Sequence, residues 1–111
     1  MGLSTHVLDQ VSGQPASDLK IDLLFEGNPL GAFATNEDGR VADLLGENAL
    51  SEGTYTLVFK AGDYLKAAPH LEIDTPFFDK VQIDFTVSDT TRHYHVPLLI
   101  SPYGYSTYRG S

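Results

Sequence analysis

The stretch VQIDFTVSDTTRHYHVPLLISPYGYSTY, residues 81–108, contains three runs in which apolar and polar residues alternate. In the first run, every second residue from 81 to 87 is apolar and the residues between them are polar. Successive side chains of a β-strand point to opposite faces, so this period of two predicts a strand with one buried face. The runs are rich in Val, Ile, Thr, Tyr and Phe and are separated by turn residues, which favours strands over helices.

The same pattern continues outward through the rest of the chain, between turns such as SGQPASD, NEDGR and SPYG. One segment, 61–80, is too long for a hairpin loop, and GDYLKAA (62–68) within it predicts a short helix that ends at Pro69. Seven or eight strands in 111 residues indicate an all-β, antiparallel β-sandwich with one helical insertion. The predicted strands are 3–9, 19–25, 30–36, 54–60, 81–89, 94–101 and 103–108, with 40–45 as a short eighth.

Length and charge restrict the classes of function. We expect a single domain spanning residues 1–111, since this is close to the commonest domain size. The formal net charge of −8 argues against nucleic acid or an anionic membrane as a partner. The chain has no cysteine, which excludes disulfides and thiolate chemistry. No signal peptide is apparent, so we expect a cytoplasmic protein, or a periplasmic one if a leader has been removed.

The last two predicted strands carry an unusual second face. Opposite the apolar set of strand 94–101 lie His93, His95, Pro97 and Leu99. In the final strand, small residues and Tyr108 fall on one face. Such a mixed face is typical of a surface that another subunit covers.

Four histidines are candidates for chemistry. His70, beside Pro69, is expected to be a surface residue, and His6 taken alone is expected to be an exposed strand residue. His93 and His95 share one face of a strand, and such a pair can hold zinc with His6 as a third ligand. Without cysteine or a positioned carboxylate, we expect no metal. No serine lies in a nucleophile elbow, so a serine acyl-enzyme is disfavoured.

Three segments together resemble one known family. LSTHVLD (3–9), NEDGR (36–40) and HYHVPLLISPYGYSTYRGS (93–111) are similar to the 5-hydroxyisourate hydrolases, which are transthyretin-related proteins of urate degradation. The resemblance implies a transthyretin-like sandwich of two four-stranded sheets with one short helix. It also implies a homotetramer, in which two dimers meet face to face and place active sites at the dimer–dimer interface.

The implied reaction is hydrolysis of the cyclic amide of 5-hydroxyisourate to 2-oxo-4-hydroxy-4-carboxy-5-ureidoimidazoline, on the route to S-allantoin. The step requires no cofactor. The resemblance implies that His6, Arg40 and His95 are catalytic and that Tyr108 and Ser111 join His6 and Arg40 in binding the substrate. Arg109 and Gly110 would support the end of the last strand.

Amide hydrolysis needs an activated water, and a neutral histidine is a suitable base near pH 7. We assign this role to His6 and His95 as a pair, without ranking them. Arg40 has two candidate uses: it would keep a neighbouring histidine neutral, or it would bind substrate carbonyls through its planar fork. Two rival hypotheses are a transthyretin-like carrier of small aromatic ligands and a purely structural sandwich. Neither would explain two histidines, an arginine and a tyrosine at positions that match the hydrolases.

Overall fold

The computed structural model describes residues 2–111 and consists of two β-sheets and one short helix. The strands are β1 Leu3–Asp9, β2 Gln14–Pro15, β3 Lys20–Phe25, β4 Asn28–Ala34, β5 Arg40–Val41, β6 Gly53–Phe59, β7 Val81–Val87, β8 Tyr94–Ser101 and β9 Gly104–Thr107, and the helix is α1 Ala61–Ala67. The seven strands predicted from periodicity are confirmed, with ends shifted by a few residues. Only the first two residues of the predicted strand 40–45 form β5, and β2 was not predicted because two residues show no periodicity.

One sheet has the order β2-β1-β8-β9, with β5 also paired to β1, and the other has the order β4-β3-β6-β7. The first sheet thus has five strands rather than the expected four, because the short β2 and β5 both pair with β1. The pair β1–β8 is parallel, whereas every other pair is antiparallel. The expectation of a wholly antiparallel sandwich is therefore wrong for this pair. Alternation of side chains is the same in parallel and antiparallel strands, so periodicity cannot distinguish them.

The core lies between the two sheets and follows the predicted alternation. In β1, Leu3, Thr5, Val7 and Asp9 are buried, and in β8 the buried set includes Tyr94, Val96, Leu98 and Ile100. The opposite face of these two strands, which carries His6 and His95, is half-buried except at Ser4 and Pro97, which are buried. The adjacent β1 and β8 thus present one continuous face outside the core.

Helix α1 matches the predicted helix 62–68 to within one residue at each end. It ends at Ala67, and the capping residue Ala68 is extended (φ −67°, ψ 122°), because a following proline sterically disfavours the helical region. Among residues 2–111, no helix is both long and apolar enough to cross a membrane.

His70, after the helix, is exposed as expected, but it also contacts a buried carboxylate. Its Nε2 lies 2.7 Å from Oδ2 of Asp9, which also accepts a hydrogen bond of 2.8 Å from the Tyr64 hydroxyl. Asp9 is only 1% exposed, and its Oδ1 accepts hydrogen bonds from the amides of Val11 and Ser12. These contacts connect α1 and the segment after it to the end of β1.

Candidate active site

The parallel pairing of β1 and β8 places the candidate histidines on neighbouring strands. Ser4 lies opposite His95 and His6 lies opposite Pro97. On the other side of β1, His6 pairs with Arg40 of β5. Segments distant in sequence, around residues 4–6, 40 and 95, therefore meet on the outer face of one sheet.

Arg40 is positioned by the turn that precedes it. Asn36 Oδ1 accepts hydrogen bonds from the amides of Asp38 (2.9 Å) and Arg40 (3.0 Å), as asparagine does in tight turns. Gly39 has φ +72°, and its carbonyl accepts a hydrogen bond of 2.8 Å from the Val7 amide. A Cβ at Gly39 would lie 2.5 Å from the Val7 carbonyl oxygen. Only glycine therefore allows the turn to approach β1 closely enough for β5 to pair with it.

Ser4 connects two histidines of the site. Its Oγ lies 2.7 Å from Nε2 of His93 and 2.8 Å from Nδ1 of His95. Ser4 is buried (8% exposed), whereas His93 is exposed and His95 is half-buried. This hydrogen-bonded group of His93, Ser4 and His95 fixes the orientation of the His95 ring and leaves its Nε2 as the nitrogen for a reactant.

The C-terminal residues continue along β8 beyond the end of β9. The amide of Gly110 donates a hydrogen bond of 2.8 Å to the carbonyl of His95, and the two residues form a β-bridge. The Arg109 guanidinium lies 4.4 Å from the centre of the Tyr94 ring, a distance typical of a cation–π contact. A Cβ at Gly110 would lie 2.5 Å from Cδ2 of His95. The terminal residues thus pack directly against the candidate histidine.

Two cavities adjoin His95. One, of about 420 Å³, is lined by Ser4, Thr5, Arg40, Ala42, His93, His95 and Ser111. The other, of about 170 Å³, lies between β7, β8 and the terminal residues and is bordered by His95, Tyr108 and Arg109 among others. The structure therefore brings Arg40, His95 and Ser111 together in one pocket, with His6 beside Arg40. Tyr108 and Arg109 border the second cavity instead, and Tyr108 is 59% exposed.

Both candidate histidines are shifted toward the neutral form. Partial burial lowers the pKa of His6, the Arg40 guanidinium lowers it further, and Asp38 partly opposes this. Partial burial also lowers the pKa of His95, and the nearby Arg40, His6 and His93 act in the same direction, with Ser4 opposing them. A neutral imidazole is the form that accepts a proton. This electrostatic effect is the first of the two candidate uses of Arg40 described above.

Sequence reasoning left three pocket residues unassigned: Ser4, Thr5 and Ala42. Ser4 was visible as a polar residue on the same strand face as His6, but its partners depend on the parallel pairing with β8. In the part of the chain that the structure describes, no three His, Cys, Asp or Glu side chains form a group that could hold a metal ion. The described residues thus do not bring His6, His93 and His95 together as three ligands of one ion.

Comparisons with known proteins agree with this architecture. Residues 3–110 match the model of the HIUase/Transthyretin family. 5-Hydroxyisourate hydrolase 2 of Rhizobium meliloti is 52% identical over 98% of this chain and 95% of the relative. The 5-hydroxyisourate hydrolase of Caulobacter vibrioides is 47% identical over 99% of this chain and 98% of the relative.

Solved structures extend the comparison to the fold. The 5-hydroxyisourate hydrolase of Klebsiella pneumoniae has a TM-score of 0.87 and 39% identity, and the match covers 99% of this chain and 98% of that one. A crystal structure of (S)-allantoin synthase has a TM-score of 0.88 and 35% identity, but the match covers only 43% of its chain. The transthyretin-like fold class expected from the sequence is thereby confirmed. The chain belongs to the HIUase/Transthyretin family.

Proposed function

We propose that this protein hydrolyses the cyclic amide of 5-hydroxyisourate, giving 2-oxo-4-hydroxy-4-carboxy-5-ureidoimidazoline in urate degradation. The observation that carries the proposal is the pocket in which Arg40, His95 and Ser111 meet, with His6 paired to Arg40. Its volume of about 420 Å³ is in the range of small-molecule sites. Full-length relatives named 5-hydroxyisourate hydrolase support the choice of substrate.

We assign the first chemical step to the histidines. His6 and His95 act as a pair that takes a proton from water, and the hydroxide formed attacks the amide carbon. Such proton transfer contributes about 10²–10⁴-fold to the rate. The same pair then returns the proton to the ring nitrogen as the C–N bond breaks, so that water is added across the amide and the ring opens.

Arg40 and the terminal residues bind the substrate in this proposal. The Arg40 guanidinium interacts with the carbonyl oxygens of the ring and with the negative charge that develops on the attacked one. Ser111, which also lines this pocket, supplies further polar contacts. Arg109 and Gly110 support the terminal segment, in agreement with the contacts to Tyr94 and His95.

The direct test is turnover of freshly prepared 5-hydroxyisourate, followed by ultraviolet absorbance and corrected for spontaneous decay. We expect the wild type to accelerate the decay. His6→Ala, Arg40→Ala and His95→Ala should lose most of that acceleration. Deletion of residues 108–111 should abolish the acceleration. His70→Gln, a change at a histidine outside the pocket, is the matched control and should retain activity. Wild-type rates in all three alanine variants would refute the assigned roles, and an inactive wild type would favour a carrier.

We also propose that residues 1–111 act as one hydrolase domain within a homotetramer. The outer face of β1 and β8 carries Leu8 and Leu99, which are half-buried in the single chain, beside the candidate histidines. Joining two such faces would place the pockets between two dimers and would bring the exposed Tyr108 toward a neighbouring subunit. Light scattering coupled to size-exclusion chromatography tests this: a mass of four chains is expected, and a monomer would contradict it.

A further inference from the structure

The buried hydroxyl of Ser4 connects two titratable side chains, and its chemistry links their protonation states. A serine hydroxyl carries one proton, so between two histidine nitrogens it donates to one and accepts from the other. When Nδ1–H of His95 donates to Ser4, the Ser4 hydroxyl donates to Nε2 of His93. In that state, Nε2 of His95 carries a lone pair and can act as a base.

We propose that His95, Ser4 and His93 form a proton relay that carries the proton taken from water at His95 to the exposed His93. The proposal rests on the proposed function, because it concerns the same hydrolysis. Both distances in the relay, 2.7 and 2.8 Å, are short enough for proton transfer through hydrogen bonds. Ser4 and His93 are positioning and relay residues in this scheme, and His95 is the member of the His6–His95 pair from which the proton enters the relay.

Each proton that is transferred in the relay is restored within one turnover. Water transfers a proton to Nε2 of His95, Nδ1–H of His95 passes to Ser4, and the original Ser4 proton passes to Nε2 of His93. His95 is then neutral with its proton on Nε2, His93 is an imidazolium, and the hydroxide has bonded to the amide carbon. When the C–N bond breaks, Nε2–H of His95 protonates the departing nitrogen. His93 simultaneously returns its proton through Ser4 to Nδ1 of His95, which restores the starting state.

His95 and His93 have different surroundings, which suit the start and the end of the relay respectively. Partial burial disfavours an imidazolium at His95, and the Arg40 cation, His6 and His93 act in the same direction. A proton retained on His95 would therefore be unfavourable while the hydroxide attacks. His93 lies immediately before β8 and is exposed, so that solvent reaches its ring.

The ring of His93 is also held from its other side. The carbonyl of Gly2 accepts a hydrogen bond of 2.8 Å from the Tyr94 amide, so the backbone of Gly2 lies beside His93. A Cβ at Gly2 would be only 2.9 Å from Nδ1 of His93. The ring thus lies between the backbone of Gly2 and the hydroxyl of Ser4, although it is exposed to solvent.

The test compares Ser4→Ala and His93→Gln with the wild type in the 5-hydroxyisourate assay. Ser4→Ala removes the relay atom. His93→Gln keeps a side-chain amide that can hydrogen-bond to Ser4 but cannot take up a proton. We expect kcat to fall by about tenfold or more in both variants, with KM unchanged, while the matched control His70→Gln retains the wild-type kcat. Circular dichroism and size-exclusion chromatography verify that the variants fold and assemble normally.

A second measurement separates proton transfer from simple positioning. In single-turnover experiments in mixtures of H₂O and D₂O, several protons moving together give a curved dependence of the rate on deuterium fraction. We expect a curve for the wild type and a straight line for Ser4→Ala. A wild-type kcat in His93→Gln, or the same curvature in Ser4→Ala, would overturn the relay while leaving the proposed function standing. An inactive wild type would instead refute the function itself.

Discussion

At the scale of single residues, Gly110 and His95 show how closely the chain terminus and the site are connected. Their backbones form a β-bridge, and the missing side chain of Gly110 leaves room for the His95 ring. Any larger residue at 110 has to displace either the ring or the terminal segment. The orientation of His95 therefore depends on a residue that has no functional group of its own.

We predict that Gly110→Ala slows the enzymatic hydrolysis of the substrate by about 10²-fold, the cost of displacing a reacting group by about 1 Å. The new Cβ would lie 2.5 Å from Cδ2 of His95. Turnover in the ultraviolet assay measures the effect. Gly104→Ala is the matched control, since its Cβ would meet Ser101 Oγ at an ordinary 3.7 Å. Equal rates in the two variants would show that the position of His95 does not depend on Gly110.

At the scale of secondary-structure elements, two groups of contacts hold the site and the helix in place. The turn before β5 presents Arg40 next to His6. The group of Asp9, Tyr64 and His70 holds α1 against the end of β1. Each depends on a contact between segments that are far apart in sequence, and each can be perturbed by one substitution.

Gly39, in the turn before β5, has a well matched counterpart in Gly13, in the turn between β1 and β2. Gly39 and Gly13 both have φ +72°, but a Cβ at Gly13 meets nothing within 4 Å whereas one at Gly39 contacts the Val7 carbonyl. Gly13→Ala should therefore cost only the conformational strain of about 1–2 kcal/mol. Gly39→Ala should cost about 2–4 kcal/mol, because overpacking is added, and should also reduce activity by moving Arg40. Urea unfolding measures the free energy of unfolding of both variants. Equal losses would mean that the turn before β5 accommodates the new Cβ without further destabilisation.

The contact of Tyr64 and His70 with the buried Asp9 carboxylate predicts that the free energy of unfolding depends on pH. Burial by itself raises the pKa of Asp9, but hydrogen bonds from Tyr64, the Ser12 and Val11 amides and His70 leave it below its ordinary value of 3.8. The contribution of this carboxylate to the free energy of unfolding is therefore complete above the unfolded pKa and is lost as the pH falls through the folded one.

We predict that Asp9→Asn lowers the free energy of unfolding by about 2–4 kcal/mol at pH 7, since a buried carboxylate acceptor is lost. The difference between wild type and variant should shrink as the pH falls below about 4. Urea unfolding of both proteins between pH 7 and pH 3 tests this. Thr56→Val is a control that removes a hydrogen bond to the exposed Asp84. A difference that stays constant with pH would contradict the assignment to the Asp9 carboxylate.

At the scale of the whole molecule, the outer face of β1 and β8 combines the candidate site with apolar residues. A monomer would leave this half-buried face in water, whereas the proposed tetramer covers it and encloses the pockets. Assembly and activity should therefore be lost together when the face is disrupted.

We predict that Leu99→Asp prevents formation of the proposed tetramer, because it would place four carboxylates in an interface of low polarity. Mass measured by light scattering should fall to that of a dimer or monomer, with a parallel loss of hydrolysis. Leu30→Asp, at a 38% exposed position on β4 of the other sheet, serves as the control and should remain assembled. A fully active Leu99→Asp monomer would show that the site is complete within one chain.

Much of this molecule could be predicted from its sequence. Alternation of apolar and polar residues depends only on strand geometry, so it located seven strands and the core-facing side of β7 and β8. The helix could be located because Pro69 ends it by local sterics. The segments around His6, Arg40 and His95 carried the family resemblance, and the family is confirmed by the comparisons.

The tertiary structure decided which of these local elements meet. Parallel pairing of the first strand with the eighth leaves no periodic signal, yet it places Ser4 between His93 and His95. Likewise, nothing local to Pro69 or His70 indicates that Asp9, some 60 residues earlier in the chain, would bind the histidine. Residue type and alternation are local properties and are legible in a sequence. Hydrogen-bond partners and pKa shifts arise from contacts across the chain, and these exist only once the two sheets have packed.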